Sequence, residues 1–202
     1  MKIGVLGSGK GSNFQAILDA VEKKKLKNVE ISVVISDVEN AYILKRAEEK
    51  RIKAVYIDAS PFRTKLDGEA EEEYINCLKE SAVDLVVLAG FMRMIKKHFL
   101  DAYRGRVINI HPALLPAFPG LESWKQALEY GVKFAGCTVH FVDGGMDTGP
   151  IIAQAVIPVE QNDTPESLHA RIQAEEHRLF PYAIGLIERG SVKIQGRRTF
   201  IG

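Results

Sequence analysis

Short apolar runs alternate with amphipathic stretches along most of this chain. Residues 3–6, 31–35 and 85–89 are mainly apolar runs of strand length. Between them, segments 14–24 and 69–80 carry apolar residues at helical spacing among charged ones. Continuous apolar runs are typical of parallel strands that are covered on both faces. The pattern predicts an α/β fold: a Rossmann-like, mostly parallel twisted sheet with helices on both faces.

The later part of the chain changes character. Residues 136–142 and 151–156 indicate two strands joined by a glycine-rich loop, which suggests that the late strands are antiparallel. Thr164 and Pro165 suit the N-cap and the first position of a long final helix. The remaining predicted elements are helices at 42–50 and 123–130, strands at 54–57 and 107–110, and a short strand or loop in the tail from residue 190.

Composition narrows the class of protein. The chain has 202 residues, and 27 basic against 26 acidic side chains give a net charge of +1. This balance argues against broad electrostatic binding to nucleic acid or to an acidic membrane. No apolar run approaches the roughly 18 residues that a membrane span needs. Two cysteines without zinc spacing indicate neither a disulfide framework nor a metal site. We expect one cytoplasmic domain, 1–202, with halves of about 1–105 and 106–190 and a short tail.

A glycine-rich loop at residues 7–13 follows the first predicted strand. It departs from the dinucleotide-binding motif because Ser12 stands at the third glycine position, although Asp37 ends the second strand where a ribose-binding acid is expected. It departs from the P-loop because Gly11 stands where Ser or Thr is needed. The third interpretation is a phosphate-binding site formed by Gly11, Ser12 and Asn13. The other interpretation is a tight turn in which Ser12 caps the helix.

Asn109, His111 and Asp147 are the candidate catalytic residues. Asn109 and His111 are two apart in a strand, a spacing that places both side chains on one face. Histidine exchanges a proton near neutral pH, and an amide donates a hydrogen bond to an oxyanion. Asp147, in a glycine-rich loop, is the candidate carboxylate beside the imidazole. Structural roles are the alternative for all three, and His140 is interpreted as a core residue.

Four segments together resemble the phosphoribosylglycinamide formyltransferases. They are Gly-Lys-Gly-Ser-Asn at 9–13, Leu-Ala-Gly-Phe-Met-Arg at 88–93, Asn-Ile-His-Pro-Ala-Leu-Leu-Pro at 109–116 and Met-Asp-Thr-Gly-Pro at 146–150. The Asn-x-His-Pro stretch with a later Asp-x-Gly-Pro marks the wider folate-dependent formyl-transfer superfamily. The Gly-Ser-Asn loop is similar to that of the purine enzymes. The resemblance runs from residue 1 to about 190.

The resemblance implies transfer of a formyl group from 10-formyltetrahydrofolate to the amine of glycinamide ribonucleotide in purine biosynthesis, without a metal. It implies Asn109, His111 and Asp147 as the catalytic residues. It also implies residues that bind the ribonucleotide (Gly11, Ser12, Asn13, Gly90, Gln173 and Glu176) and residues that bind the folate (Lys65 or Arg63, Met92, Arg93, Met94, Ile95 and Asn109). A cis Leu115–Pro116 bond is a further expectation from the family.

Other functions remain as alternatives. A formyltetrahydrofolate hydrolase shares the catalytic motifs but has no use for a phosphate cradle. A non-catalytic nucleotide-binding module would need only the glycine-rich loop. The interpretation as an NAD-dependent oxidoreductase depends on Asp37. A methionyl-tRNA formyltransferase carries an extra RNA-binding domain. The expected partners are small-molecule substrates, with neither nucleic acid nor membrane, and the expected state is a monomer or homodimer.

Overall fold

Five parallel strands run through the first half of the chain. The computed structural model describes residues 1–202, which divide into two units, Met1–Asn109 and Ile110–Gly202. The strands of the first unit are β1 (Lys2–Leu6), β2 (Glu30–Ser36), β3 (Lys53–Tyr56), β4 (Leu85–Leu88) and the beginning of β5 (Val107–His111). Their order is β3-β2-β1-β4-β5, and every pair is parallel. The order reverses between β1 and β4, the switch point beside which such sheets bind ligands.

The helices of the first unit cover this sheet. They are α1 (Ser12–Glu22), α2 (Tyr42–Glu49), α3 (Gly68–Glu80) and α4 (Lys97–Ala102). Phe14 of α1, Tyr74 of α3 and Phe99 of α4 are among the largest fully buried side chains. The side chain of Asp67 caps α3 by accepting a hydrogen bond from Gly68 N. Apolar residues at helical spacing therefore form the core that fixes the strand ends.

The second unit is built on the end of β5 and an antiparallel pair. It contains α5 (Ser123–Tyr130), β6 (Phe134–Phe141), β7 (Ile151–Pro158), α6 (Pro165–Glu188), β8 (Val192–Gln195) and β9 (Arg198–Ile201). In sheet order β6 and β7 follow β5, and α6 packs against both. Thr164 and Ser167 form a capping box at the start of α6, as the sequence predicts for Thr164. The strands β8 and β9 form a separate two-stranded hairpin.

The predicted α/β fold with late antiparallel strands is confirmed, and most boundaries agree within two residues. The sequence interpretation missed α4, which has six residues, too few for a helical period to stand out. Leu115–Pro116 is a cis peptide, as expected, and Ser60–Pro61 is a second one. Among the helices, none combines the length and apolarity that a membrane crossing requires.

Candidate functional site

The loop after β1 and the segment after β4 are joined through Ser8. The backbone N–H of Ser8 donates to the carbonyl of Gly90 at 3.0 Å. The hydroxyl of Ser8 accepts from the backbone N–H of Met92, also at 3.0 Å. The side chain of Met92 is exposed. Two of the segments that the sequence marks as functional therefore meet at the switch point of the first unit.

Gly11 begins α1. Its φ of 71° is left-handed, and an added Cβ would lie 2.8 Å from two side-chain carbons of Ile43. Only glycine suits this position, because other residues add both strain and a clash. The first amide groups of a helix lack partners inside the helix and attract anions. Ser12 is the first helical residue and Gly11 is the N-cap, so the interpretation of Ser12 as the N-cap is wrong.

Arg93 forms a buried ion pair with Asp37. Nε of Arg93 donates to Oδ2 of Asp37 at 2.7 Å, and the two side chains are 13% and 5% exposed. The same guanidinium donates from Nη1 to the carbonyl of Phe62. Asp37, the residue on which a dinucleotide site would depend, is thus engaged by an arginine. The side chain of Arg93 links the end of β2 to the loop between β3 and α3.

That loop carries Lys65, a candidate folate-binding residue. Lys65 pairs with Asp67, and its Nζ lies 4.1 Å from the centre of the Phe62 ring. The loop is held against the segment after β4: Leu66 N donates to Met94 O at 3.0 Å, and Met94 N donates to Thr64 O at 2.9 Å. Of the other folate candidates, Ile95 is buried, and Arg63 is exposed.

In the second unit, His111 and Asp147 lie side by side. Nδ1 of His111 is 3.5 Å from Oδ2 of Asp147, and both side chains are largely buried. The other ring nitrogen, Nε2, lies 2.8 Å from the carbonyl oxygen of Phe118. Oxygen acceptors therefore face both nitrogens, an arrangement that suits a ring with two N–H donors. Asn109 lies two residues before His111 on β5, where it pairs with Leu88.

Asp147 is held in an unusual backbone conformation. Its φ is 54°, a left-handed value that residues with a Cβ rarely adopt. Its Oδ2 accepts a 2.9 Å hydrogen bond from Gly120 N, which fixes the carboxylate. At Gly149, two residues later, a Cβ would overlap the carbonyl oxygen of Phe141, so the turn must pass close to β6. This close approach explains why the loop has glycine at position 149.

His140 is the residue of this site that sequence analysis did not assign. Its Nε2 lies 3.7 Å from Oδ1 of Asp147, and its Nδ1 is 2.8 Å from the carbonyl of Phe141. Burial lowers the pKa of His140, which keeps the ring neutral near pH 7. The ring therefore covers one side of the Asp147 carboxylate. The available signal was the alternation of Thr138 and His140, polar residues in an otherwise apolar strand.

Thr138 holds the turn that follows His111. Its hydroxyl donates to Ala113 O at 2.7 Å and accepts from Leu115 N at 3.1 Å. Gln154 on β7 donates to the same hydroxyl at 2.9 Å and to Leu115 O at 3.0 Å. The carbonyl of Ala113 and both backbone polar groups of Leu115 thus have partners on β6 or β7. The turn, and with it the end of β5, is rigidly placed.

Gln173 and Glu176 lie on α6, three residues apart and so on neighbouring positions of one face. Glu176 is 5% exposed, and both side chains have interaction partners. His177 is half-buried, and burial lowers its pKa. No group of three His, Cys, Asp or Glu side chains in the chain is arranged to hold a metal ion.

Comparisons with known proteins agree on one family. A family model described as "Formyl transferase" matches residues 1–184. The phosphoribosylglycinamide formyltransferase of Bacillus subtilis is 42% identical over 193 residues, covering 94% of this chain and 97% of that protein. The trifunctional purine biosynthetic protein adenosine-3 of Drosophila melanogaster is 43% identical over 96% of this chain, which spans only 14% of that longer protein. The crystal structure of glycinamide ribonucleotide transformylase 1 from Symbiobacterium toebii superposes with a TM-score of 0.94 at 48% identity, covering 100% of this chain and 93% of that one.

Proposed function

Since this chain belongs to the formyl transferase family, we propose that it transfers the formyl group of 10-formyltetrahydrofolate to the amine of glycinamide ribonucleotide, a step of purine biosynthesis. The identity to the Bacillus subtilis and Escherichia coli enzymes of that name, 42% in both, supports this reaction. The observation that carries the proposal is the approach of the Asp147 carboxylate to His111 within 3.5 Å, with Asn109 two residues away on the same strand.

The reaction is a direct acyl transfer. The substrate amine attacks the formyl carbon and forms a C–N bond, and the carbonyl oxygen becomes an oxyanion. Asn109 stabilises that oxyanion as a hydrogen-bond donor, and a protonated His111 stabilises it through its positive charge. Asp147 stabilises the imidazolium, because an opposite charge at this distance favours the charged ring. The bond from the formyl carbon to N10 of the folate then breaks, and N10 receives, through water, the proton that the amine loses.

The first unit supplies the phosphate and folate contacts in this proposal. Gly11, Ser12 and Asn13 bind the 5′-phosphate at the start of α1, where the helix dipole and open amides favour an anion. The segment after β4, from Gly90 to Ile95, binds the folate mainly through its backbone, since the Arg93 side chain is occupied by Asp37. Lys65 is the proposed cation beside the folate.

The second unit supplies the catalytic pair and the contacts on α6. Gln173 and Glu176 bind the ribonucleotide. We further propose that the reaction requires no metal, that the enzyme is cytoplasmic and that it acts as a monomer or homodimer on small molecules alone.

The test is an absorbance assay of folate turnover with both substrates present. A change that depends on glycinamide ribonucleotide, and that His111→Ala removes, is the expected result. Turnover without the ribonucleotide would identify a formyltetrahydrofolate hydrolase. No turnover from a folded sample, together with binding of the ribonucleotide alone, would identify a non-catalytic nucleotide-binding module.

A further inference from the structure

The hairpin of β8 and β9 contacts the loop that carries Asp147. It follows α6 and lies beyond residue 184, where the match to the family model ends. Its two strands pair only with each other in register, from Val192 with Ile201 to Gln195 with Arg198. The catalytic motifs assign no role to it, yet two of its side chains bond to the chain at residues 148 and 151, between Asp147 and β7.

Those two side chains are Arg197 and Thr199. Nη2 of Arg197 donates to the carbonyl oxygen of Thr148 at 2.8 Å. The hydroxyl of Thr199 donates to the carbonyl oxygen of Ile151 at 2.5 Å. Thr148 directly follows Asp147, and Ile151 is the first residue of β7. The hairpin thus holds both ends of the short turn that connects the catalytic carboxylate to the sheet.

The loop before this turn is poorly anchored by its own sequence. Gly144 and Gly145 permit many backbone conformations, and Asp143 bonds only within the loop, to Gly145 N at 3.1 Å and to Thr148 Oγ1 at 2.6 Å. Asp147 itself adopts the left-handed region. A backbone of this kind persists only where contacts outside the loop maintain it.

We propose that Arg197 is a positioning residue for formyl transfer, which holds Asp147 beside His111 through the Thr148 carbonyl. This inference rests on the proposed function. The guanidinium gives a charge-assisted hydrogen bond, stronger than a neutral one. Without it the loop samples other conformations, and the carboxylate spends less time near the imidazole. The turnover number falls, whereas substrate affinity is unchanged, since Arg197 is not among the residues proposed to bind either substrate.

The neighbouring arginine provides a matched control. Arg198 stacks over the ring of Phe200 at 5.0 Å and lies in the same hairpin. Arg197→Met and Arg198→Met therefore remove the same charge from adjacent positions and leave the same unbranched apolar side chain at each. Arg197→Lys retains the charge and a donor, but not the planar guanidinium.

The experiment measures kcat and both KM values for these three variants. We expect Arg197→Met to lower kcat about two- to tenfold, the range that one net hydrogen bond corresponds to. Both KM values should stay within about twofold of the parent, Arg197→Lys should recover part of kcat, and Arg198→Met should match the parent. Equal kcat in the two Met variants, or a rise in KM without a fall in kcat, overturns the proposal.

Amide hydrogen exchange over residues 143–151 separates this inference from the proposed function. Faster exchange in Arg197→Met than in Arg198→Met supports the positioning contact whatever the substrate is. Equal exchange overturns it. If the two variants differ in this way but the parent protein turns over no folate in the presence of the ribonucleotide, the proposed function is refuted and the contact is established.

Discussion

Oδ2 of Asp147 lies 3.5 Å from Nδ1 of His111, close enough for charge attraction but longer than a hydrogen bond. The same oxygen already accepts a hydrogen bond from Gly120 N. The carboxylate is therefore fixed by the backbone rather than by the imidazole. Only a small movement of the His111 ring is needed to form a direct bond once the ring is protonated.

This arrangement makes the charge of Asp147 testable apart from its hydrogen bond. Asp147→Asn keeps an oxygen for Gly120 N but removes the negative charge that stabilises the imidazolium. We expect kcat to fall about 10²- to 10⁴-fold, the usual contribution of general acid–base catalysis. Binding of the ribonucleotide, measured by calorimetry, should be unchanged.

Asp143→Asn is the control for that variant, because Asp143 lies in the same loop and bonds to Thr148 and Gly145 but to neither histidine. We expect a loss of less than about tenfold in kcat, the effect of weakening one or two hydrogen bonds. Similar losses in both variants would show that the loop, and not the charge of Asp147, limits turnover.

The buried pair of Asp37 and Arg93 predicts a stability effect. Arg93→Met leaves the Asp37 carboxylate buried without its cation, and we expect the free energy of unfolding to fall by about 3–5 kcal/mol. The same change in an Asp37→Asn background should cost less, since no uncompensated charge remains. Urea unfolding of the four proteins gives the coupling energy.

Arg63→Met is the matched change at an exposed arginine of the loop between β3 and α3, and we expect it to alter the unfolding free energy by less than about 0.5 kcal/mol. A loss at Arg93 no larger than this would mean that the ion pair contributes nothing to stability.

Three helices are followed by a residue other than glycine in the left-handed backbone conformation. Lys24, Arg51 and Ala82 have φ values of 56°, 57° and 51°, each directly after the C-cap of α1, α2 or α3. Glycine is the usual residue there, and α6 is followed by Gly190. Replacing one of the three with glycine should stabilise the fold by about 0.5–1 kcal/mol, because the relief of strain exceeds the entropic cost in the unfolded chain.

The thermal midpoint of Lys24→Gly against Lys23→Gly tests this directly. Lys23, one residue earlier, has a φ of −78°, so glycine relieves no strain there. The midpoint should rise for Lys24→Gly and fall for Lys23→Gly. The same direction of change in both variants would refute the prediction.

His169 stacks on Trp124 with ring centroids 3.8 Å apart and an interplanar angle of 4°. Burial lowers the pKa of His169. The unfolded chain therefore binds a proton before the folded one does, and this group reduces stability as the pH falls below about 6.5. His140 and His177, whose pKa values are also lowered by burial, act with the same sign. The pKa of Glu71 is raised by burial, so it acts in the opposite sense at lower pH.

Trp124 is the chain's single tryptophan, so its fluorescence reports this titration. A protonated imidazole stacked on indole quenches emission, and we expect quenching with a midpoint below 6.5. His169→Gln should abolish the transition. A midpoint above 6.5 in the folded protein would contradict the role of burial.

The sequence predicted the elements whose apolar pattern is long enough to be periodic, and it identified the residue types of the candidate site. It could not place Asp147 beside His111, because the path of the loop at 142–150 depends on close passage of Gly149 over β6. His140 was interpreted only as a core residue, because its contact with Asp147 depends on the path of the same loop. Its burial followed from its position in an apolar strand, but its neighbour depended on that loop.

Arg93 illustrates a second limit. An arginine after a strand end suits a ligand-binding role, and nothing local distinguishes that role from a buried ion pair. Its partner Asp37 is 56 residues away in the sequence. The two residues come within reach because β2 and β4 are both neighbours of β1 in the sheet, so that their ends lie close together. Pairs of this kind are set by strand order, which periodicity does not determine.

Ser8 connects the two loops at the switch point of the first unit, through its backbone N–H and its hydroxyl. A ligand that displaces the loop after β1 changes the bond from Met92 N, and a ligand on the segment after β4 changes the bond from Ser8 to Gly90. Binding at one loop then alters the affinity of the other by the same factor in both directions. In an enzyme with two substrates, positive coupling of this kind means that each bound substrate raises the affinity for the other, so that both sites are filled together.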